Sequence, residues 1–263
     1  MLSDETHKDI AGKIYQCTQD ITPMPLLTAA YPDLDLADAY HIQNNVVSLF
    51  TNAGSRIKGY KIGLTSKAVQ QLVSSTEPNF SPLLNHMFKP EADELVRAQW
   101  LTPVVESEMA FMIKHRLAGP GINVADVIHA TDFVLPALEI ADFRVARAAG
   151  MDVRDITADM GAAGGVVLGG NPVSLLDIDI RTVNCSLVVN GEERANGAAF
   201  AVLGNPLSAV AWLANKLSEF GLALEPGQVI LSGAMHNAQP AEAGDEIHAR
   251  FDNGLGDISL RFN

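Results

Sequence analysis

Apolar and polar positions near the N-terminus follow the period of an α-helix. Over residues 4–19 the apolar side chains recur at helical spacing, and Ser3 offers a hydrogen-bond acceptor that can cap the first turn. A proline-punctuated connector follows, and the pattern predicts a second helix from about Leu36 that Gly54 can end in the left-handed conformation. The beginning of the chain is therefore predicted to be helical.

Further along the chain, short β-branched runs alternate with glycine and proline, which is typical of strands separated by turns. These runs are "QWLTPVVESEMAFMI", "DFVLPALEIAD", "GGVVLGG", "NCSLVVNGEE", "GQVILSG", "DEIHARFDN" and "GDISLRF". Two helical segments, "NVADVIHAT" and "PLSAVAWLANKLSEFG", interrupt them. The pattern predicts an α+β fold in which helices pack on an elaborate mixed sheet.

The change from a helical to a β-rich pattern divides the chain at about residue 70. Residues 1–70 are predicted to form a mainly helical N-terminal section, and residues 71–263 a β-rich body. Because no flexible linker, low-complexity tract or internal repeat separates the two parts, they can also count as one domain.

Composition and charge limit the classes of function. Hydrophobic residues make up 48% of the 263 residues and charged residues 19%, so the chain can bury a large core. The net charge of −13 argues against a nucleic-acid partner, since binding phosphates needs clustered lysine and arginine. No apolar run reaches the roughly 18 to 20 residues that span a bilayer, and the N-terminus is unlike a signal peptide. We therefore expect a cytoplasmic protein with Cys17 and Cys185 reduced, a single disulfide between them being the alternative.

Two carboxylates interrupt the apolar strand "VVESEMAF". Because strand side chains alternate between faces, Glu106 and Glu108 are predicted to project from the same face. Two anions close together in a poorly solvated place repel each other and lose hydration, unless a cation neutralises them. A third carboxylate, Glu139, lies in the equally apolar run "VLPALEIAD". Three carboxylate ligands suit Mg²⁺ or Mn²⁺. The alternative is that the glutamates lie on a solvent-facing strand edge and bind no metal.

Lys61 lies between two glycines in "KGYKIGLTS". An ordinary lysine whose stem packs on neighbouring apolar groups would explain it. Gly59 and Gly63, however, indicate tight backbone that would allow close approach of a ligand. A lysine beside a metal-bound substrate could hold a carboxylate or move a proton.

The remaining candidates give weaker signals. The glycine-rich "GAAGGVVLGGNP" lacks the G-x-G-x-x-G pattern and acidic partner of a dinucleotide site, and no P-loop or G-x-S-x-G elbow is present. Among the histidines, His236 follows a strand end and could reach a site. Three more are predicted to lie on the surface (His7, His115 and His248), and two at exposed or satisfied helix positions (His41 and His129).

Taken together and in order, several segments resemble one enzyme family. The segments "GYKIGLTSKAVQ", "EPNFSPLL", "VESEMAF", "DVIHATDFVLPALEIADFR", "GVVLGG", "AVAWLANKL" and "GLGDISLRF" are similar to the 2-keto-4-pentenoate hydratase and 4-oxalocrotonate decarboxylase family of the fumarylacetoacetate hydrolase superfamily. The resemblance implies a metal-dependent lyase of the meta-cleavage pathways that degrade aromatic compounds. It also implies a fumarylacetoacetase-like mixed-sheet body and assembly as ring-like homo-oligomers, often pentamers or decamers.

The resemblance assigns roles to nine residues. They are the metal ligands Glu106, Glu108 and Glu139, the catalytic residues Lys61 and Asn79, and the substrate contacts Leu64, Thr65, Ala162 and Ser232. A 2-hydroxy-dienoate or its 2-oxo tautomer would chelate Mg²⁺ or Mn²⁺ through a carboxylate oxygen and the oxygen on C2, which makes C2 an electron sink. The same sink supports addition of water to give a 4-hydroxy-2-oxo acid, or loss of a distal carboxylate as CO₂.

The motifs favour the hydratase branch, although several positions depart from it. "EPNF" is more similar to the hydratases' P-D-[FY]-G than to the decarboxylases' T-P-I-Y-G, but Asn79 stands where the hydratase aspartate is expected, and asparagine cannot act as a base. Val104 replaces a usual basic residue, and Met160 and Gly161 replace the usual Asn-Ala. We therefore expect a hydratase, with a 4-oxalocrotonate-type decarboxylase as the alternative. A non-catalytic partner subunit of such a complex is the second alternative.

Overall fold

The structure, a computed structural model, describes all 263 residues. The α-helices are α1 (Asp4–Asp20), α2 (Leu27–Ala30), α3 (Leu36–Asn52), α4 (Lys67–Leu72), α5 (Val124–Ala130), α6 (Val153–Ala158) and α7 (Pro206–Ser218). The strands are β1 (Ile57–Gly63), β2 (Asn79–Leu84), β3 (Phe88–Lys89), β4 (Glu94–Leu95), β5 (Val104–Ile113), β6 (Thr131–Ala141), β7 (Ala163–Leu168), β8 (Asn184–Val189), β9 (Glu192–Ala198), β10 (Val229–Ala234), β11 (Gln239–Pro240), β12 (Glu246–Phe251) and β13 (Gly256–Phe262). The predicted α+β class is confirmed. None of the helices combines the length and the apolar character needed to cross a membrane.

The two long N-terminal helices begin and end close to the predicted positions. The Ser3 hydroxyl accepts a hydrogen bond from the N–H of Thr6 at 3.1 Å and caps α1. The carboxylate of Asp35 caps α3 by accepting from the N–H of Asp38 at 2.8 Å. Gly54 follows α3 with φ of 100°, the left-handed conformation that the sequence predicts for it.

The prediction that His7 lies on the surface is wrong. His7 is buried on α1, and its Nε2 lies 2.8 Å from Oδ1 of the fully buried Asp38 on α3. The same carboxylate accepts hydrogen bonds from the N–H groups of Leu2 and Asp35. This pair connects the two helices, and the helical pattern of α1 alone gives no sign of a partner so far along the chain.

The strands form two sheets. The larger contains eight strands, seven of them in the order β2-β1-β10-β5-β6-β7-β3, and β11 pairs with β5. The smaller contains five strands in the order β4-β13-β12-β8-β9. β1 lies inside the larger sheet, between β2 and β10, so the sheet begins within residues 1–70. The division of the chain at residue 70 therefore stays a prediction.

The larger sheet separates two hydrophobic cores. On β5, the side chains of Val105, Met109 and Phe111 belong to a core shared with the smaller sheet and α7. Ala110 of β5 and Ala137 of β6 belong to the other core, which includes α1 and α3. Because side chains alternate along a strand, these two sets lie on opposite faces of the sheet. Glu106 and Glu108 of β5 lie on the same face as Ala110, toward α1 and α3.

All seven predicted β-rich runs contain a strand, and both predicted helical segments contain a helix, α5 and α7. Cys17 and Cys185 are buried and free, as expected. The agreement is good wherever a run of apolar residues is bounded by turn residues.

Candidate metal centre and active site

Three glutamates converge on the face of the larger sheet that is directed toward the N-terminal helices. Glu106 and Glu108 are two residues apart on β5, and Glu139 lies on β6 directly opposite Glu106 in the antiparallel register. One carboxylate oxygen from each residue lies within 4.8 Å of the other two. Glu108 and Glu139 are buried, while Glu106 is partly exposed. Strand alternation and register explain this convergence, and the role of the three residues as metal ligands stays a prediction.

Lys61 reaches the same cluster from β1. Its Nζ lies 2.5 Å from Oε1 of Glu139 and donates a hydrogen bond to the carbonyl of Gly161 at 2.7 Å. The side chain is buried, although it carries a charge. Glu106 and Glu108 have no ion-pair partner, so the lysine directly neutralises only one of the three carboxylates.

Burial and mutual repulsion change the acid–base properties of this cluster. Burial, followed by the charge of Glu139, raises the pKa of Glu106 to about 7, although Lys61 and Arg147 act in the opposite direction. Burial and the two neighbouring carboxylates raise the pKa of Glu108 well above its ordinary value. Burial alone would lower the pKa of Lys61, but the carboxylates around it, Glu139 first, raise it overall. The cluster therefore takes up protons, or another cation, more readily than exposed carboxylates do.

Several oxygens around the cluster lack a hydrogen-bond partner. Oε1 of Glu139 pairs with the Lys61 ammonium group, whereas its Oε2 is buried without a hydrogen-bond partner. Oδ1 of Asn79 and Oγ of Ser232 are buried and unpartnered as well. Buried polar atoms almost always have a partner, so these oxygens fit a place that receives a cation and a polar ligand.

Gly161, whose carbonyl accepts the lysine hydrogen bond, lies in a left-handed turn after α6. Met160, Gly161 and Ala162 have φ values of 53°, 58° and 58°, which are unfavourable for the two residues with side chains. The buried Arg144 holds this turn, since its guanidinium pairs with the Asp159 carboxylate and donates to the Asp159 carbonyl at 2.6 Å. This pair could not be predicted from the sequence, because nothing in the local pattern marks either Arg144 or Asp159.

The other predicted substrate contacts lie on separate segments, and their role stays a prediction. Thr65 is buried just after β1 and packs against Gly233 of β10, where any side chain would collide with it. The N–H of Gly233 donates to Oε2 of Glu108 at 2.8 Å. Leu64 has φ of 58°, and Ser232 is fully buried beside Gly233. The β10 backbone thus holds the Glu108 carboxylate from one side of β5, while β6 with Glu139 lies on the other side.

Asn79 begins β2 opposite Gly63 of β1. Its Nδ2 donates to Oγ1 of Thr157 at 3.3 Å, and the absence of a side chain at Gly63 leaves room for its Oδ1. Since Gly63 and Lys61 are two residues apart on one strand, Asn79 projects from the same face as the lysine. The amide is therefore held beside the cluster with one free acceptor.

His236 does not contact the carboxylates. Its Nε2 accepts a hydrogen bond from the N–H of Ser107 at 3.2 Å, so the other nitrogen carries the proton and donates to the Asn237 carbonyl at 3.0 Å. Ser107 lies between the two glutamates of β5, but its side chain projects from the opposite face. His236 thus supports β5 from behind the site.

The chain is similar to enzymes of known activity over its whole length. Residues 40–263 match the fumarylacetoacetate (FAA) hydrolase C-terminal family. The chain is 37% identical to 2-oxo-hept-4-ene-1,7-dioate hydratase of Escherichia coli, covering 100% of both chains. It is 34% identical to 2-keto-4-pentenoate hydratase of Paraburkholderia xenovorans, covering 99% of this chain and 96% of that one. The solved structure of 4-oxalocrotonate decarboxylase from Pseudomonas putida G7, complexed with magnesium and adipate, matches with a TM-score of 0.96 at 33% identity, covering 100% of this chain and 99% of that one.

Proposed function

Because this chain belongs to the fumarylacetoacetate hydrolase family, we propose that it is a Mg²⁺- or Mn²⁺-dependent hydro-lyase that adds water to a 2-hydroxy-2,4-dienoate or its 2-oxo-enoate tautomer. The product would be a 4-hydroxy-2-oxo acid of aromatic meta-cleavage catabolism. One observation carries the proposal, namely that three carboxylates from two adjacent strands converge around a single lysine. The two hydratase relatives support the type of reaction.

The charge of the cluster fits a divalent cation. Three ionised carboxylates and one ammonium group leave an excess of two negative charges in a poorly solvated place. Donor sets made only of oxygen suit Mg²⁺ or Mn²⁺ better than zinc, which favours histidine and cysteine. Glu106, Glu108 and Glu139 would hold the metal, and the unpartnered Oε2 of Glu139 is available for it.

The residues around the glutamates have separate roles in this proposal. The cation that the three glutamates would hold would supply a Lewis acid that polarises C2 of the substrate. Lys61, held by the Gly161 carbonyl, would hold a substrate oxygen or move a proton at its Nζ. Asn79 cannot act as a base, so its free Oδ1 would accept a hydrogen bond from the attacking water and orient it.

Decarboxylation of a 4-oxalocrotonate-type substrate is the second candidate. It is favoured by the similarity to the solved decarboxylase and by the asparagine at position 79, because loss of CO₂ needs no base to activate water. In that reaction the electrons of the breaking C–C bond would move toward C2. The same three glutamates, with the same cation, would support this movement of charge.

Ultraviolet absorbance and CO₂ release separate the candidates. Purified protein with Mg²⁺ or Mn²⁺ should consume 2-hydroxypenta-2,4-dienoate or 2-oxohept-4-ene-1,7-dioate, and EDTA or Glu108→Gln should stop the reaction. Glu91→Gln, a change at an exposed glutamate away from the site, is the matched control. Release of CO₂ from 2-oxohex-3-enedioate without hydration of the other substrates would favour the decarboxylase. Metal binding without any turnover would leave the partner-subunit alternative, and a failure to bind metal would overturn the proposal.

A further inference from the structure

Arg147 is an exposed arginine that lies shortly after β6, the strand that carries Glu139. Its guanidinium carbon lies 5.7 Å from the centre of the Phe143 ring, over the aromatic face, and it forms no ion pair. A guanidinium that is held over an aromatic ring without an ion-pair partner is available to an anion.

A small apolar surface connects the arginine to the glutamates. Val104, Ala141 and Ala162 form a buried cluster of their own, and the aromatic ring under the arginine packs against it. Val104 of β5 pairs with Ala141 of β6, in the register that also pairs Glu106 with Glu139. Val104 is therefore two residues from Glu106 on β5, and Ala141 is two residues from Glu139 on β6. Side chains two residues apart share a face and lie about 7 Å apart along the strand. The cluster therefore continues the floor of the site away from the carboxylates.

We propose that Arg147 binds the distal carboxylate of an extended 2-oxo diacid whose first carboxylate and C2 oxygen lie at the three glutamates. This assignment rests on the proposed function, because it names the substrate class of that site. In a 2-oxo diacid of roughly six or seven carbons, the far carboxylate lies about 5 to 6 Å from C2, given C–C bonds of about 1.5 Å. The apolar cluster covers this distance and packs against the middle of the substrate. A shorter monoacid ends on the cluster and leaves Arg147 without a partner.

Two ligands that differ only in the far carboxylate test the assignment by calorimetry. The metal-loaded protein should bind 2-oxoadipate about tenfold or more tighter than 2-oxohexanoate, since a charge-assisted hydrogen bond contributes that much. Arg147→Met keeps a long stem over the Phe143 ring but removes the charge. This variant should bind both ligands equally, with its affinity for 2-oxohexanoate unchanged.

Arg250→Met is the matched control, because Arg250 is also exposed and without an ion pair but lies on β12 of the smaller sheet. It should keep the wild-type preference. A preference that survives in Arg147→Met, or no preference in the wild type, would overturn the assignment while leaving the proposed function in place. If neither ligand binds the metal-loaded protein, the proposed function fails as well. In turnover, Arg147→Met should lower kcat/KM for 2-oxohept-4-ene-1,7-dioate and leave that for 2-hydroxypenta-2,4-dienoate unchanged.

Discussion

Replacing Glu106 with glutamine should make the metal-free protein more stable at neutral pH. Burial, followed by the charge of Glu139, raises the pKa of Glu106 from 4.5 to about 7. At a pH between these two pKa values, the Glu106 carboxyl is protonated in the folded protein and ionised in the unfolded chain. The free energy of unfolding therefore falls as the pH rises through this window and stays lower above it. The raised pKa corresponds to at most about 3 kcal/mol, because Glu106 is partly exposed and solvent screens part of the repulsion.

Urea unfolding in EDTA, at a fixed protein concentration, measures this difference. Between about pH 5 and about pH 8 the wild type should lose stability, and Glu106→Gln should lose about 2 kcal/mol less. The neutral amide also removes the repulsion between Glu106 and Glu108, which contributes to the raised pKa of Glu108. Both changes reduce the loss of unfolding free energy with increasing pH. Glu91→Gln, a change at an exposed glutamate, should follow the wild type. Parallel pH curves for Glu106→Gln and the wild type would refute the reasoning.

Three further substitutions test the rest of the site. Lys61→Met should abolish turnover but bind Mg²⁺ about tenfold tighter by calorimetry, because it removes a cation that contacts Glu139; weaker binding would mean that the lysine shapes the metal site. Asn79→Asp should raise the hydration rate about tenfold by supplying a base, and an unchanged rate would mean that the amide suffices. Asp159→Asn should lower the free energy of unfolding by about 3 kcal/mol, because it leaves the Arg144 guanidinium buried without its partner; an unchanged urea midpoint would contradict this.

The convergence of the glutamates could be predicted from the sequence because it depends on local rules. The two-residue spacing places Glu106 and Glu108 on one face whatever their strand pairs with. Only one non-local fact is needed to place the third carboxylate, the register that sets Glu139 opposite Glu106. β1 and β2 were less visible, since Gly59 and Pro82 interrupt their apolar pattern although both strands lie within the larger sheet.

The surroundings of the glutamates could not be predicted, because they depend on contacts between distant parts of the chain. Lys61 lies close to Glu139 because β10 pairs with both β1 and β5, which brings β1 to the same sheet as β6. No local sequence pattern encodes this order of strands. The left-handed turn at Gly161 goes against the preference of the residues on either side of it, and the buried Arg144–Asp159 pair maintains it. Local preference and final structure thus disagree at the turn that holds the lysine. Such disagreement is expected where a fold gives up local stability to position a reactive group.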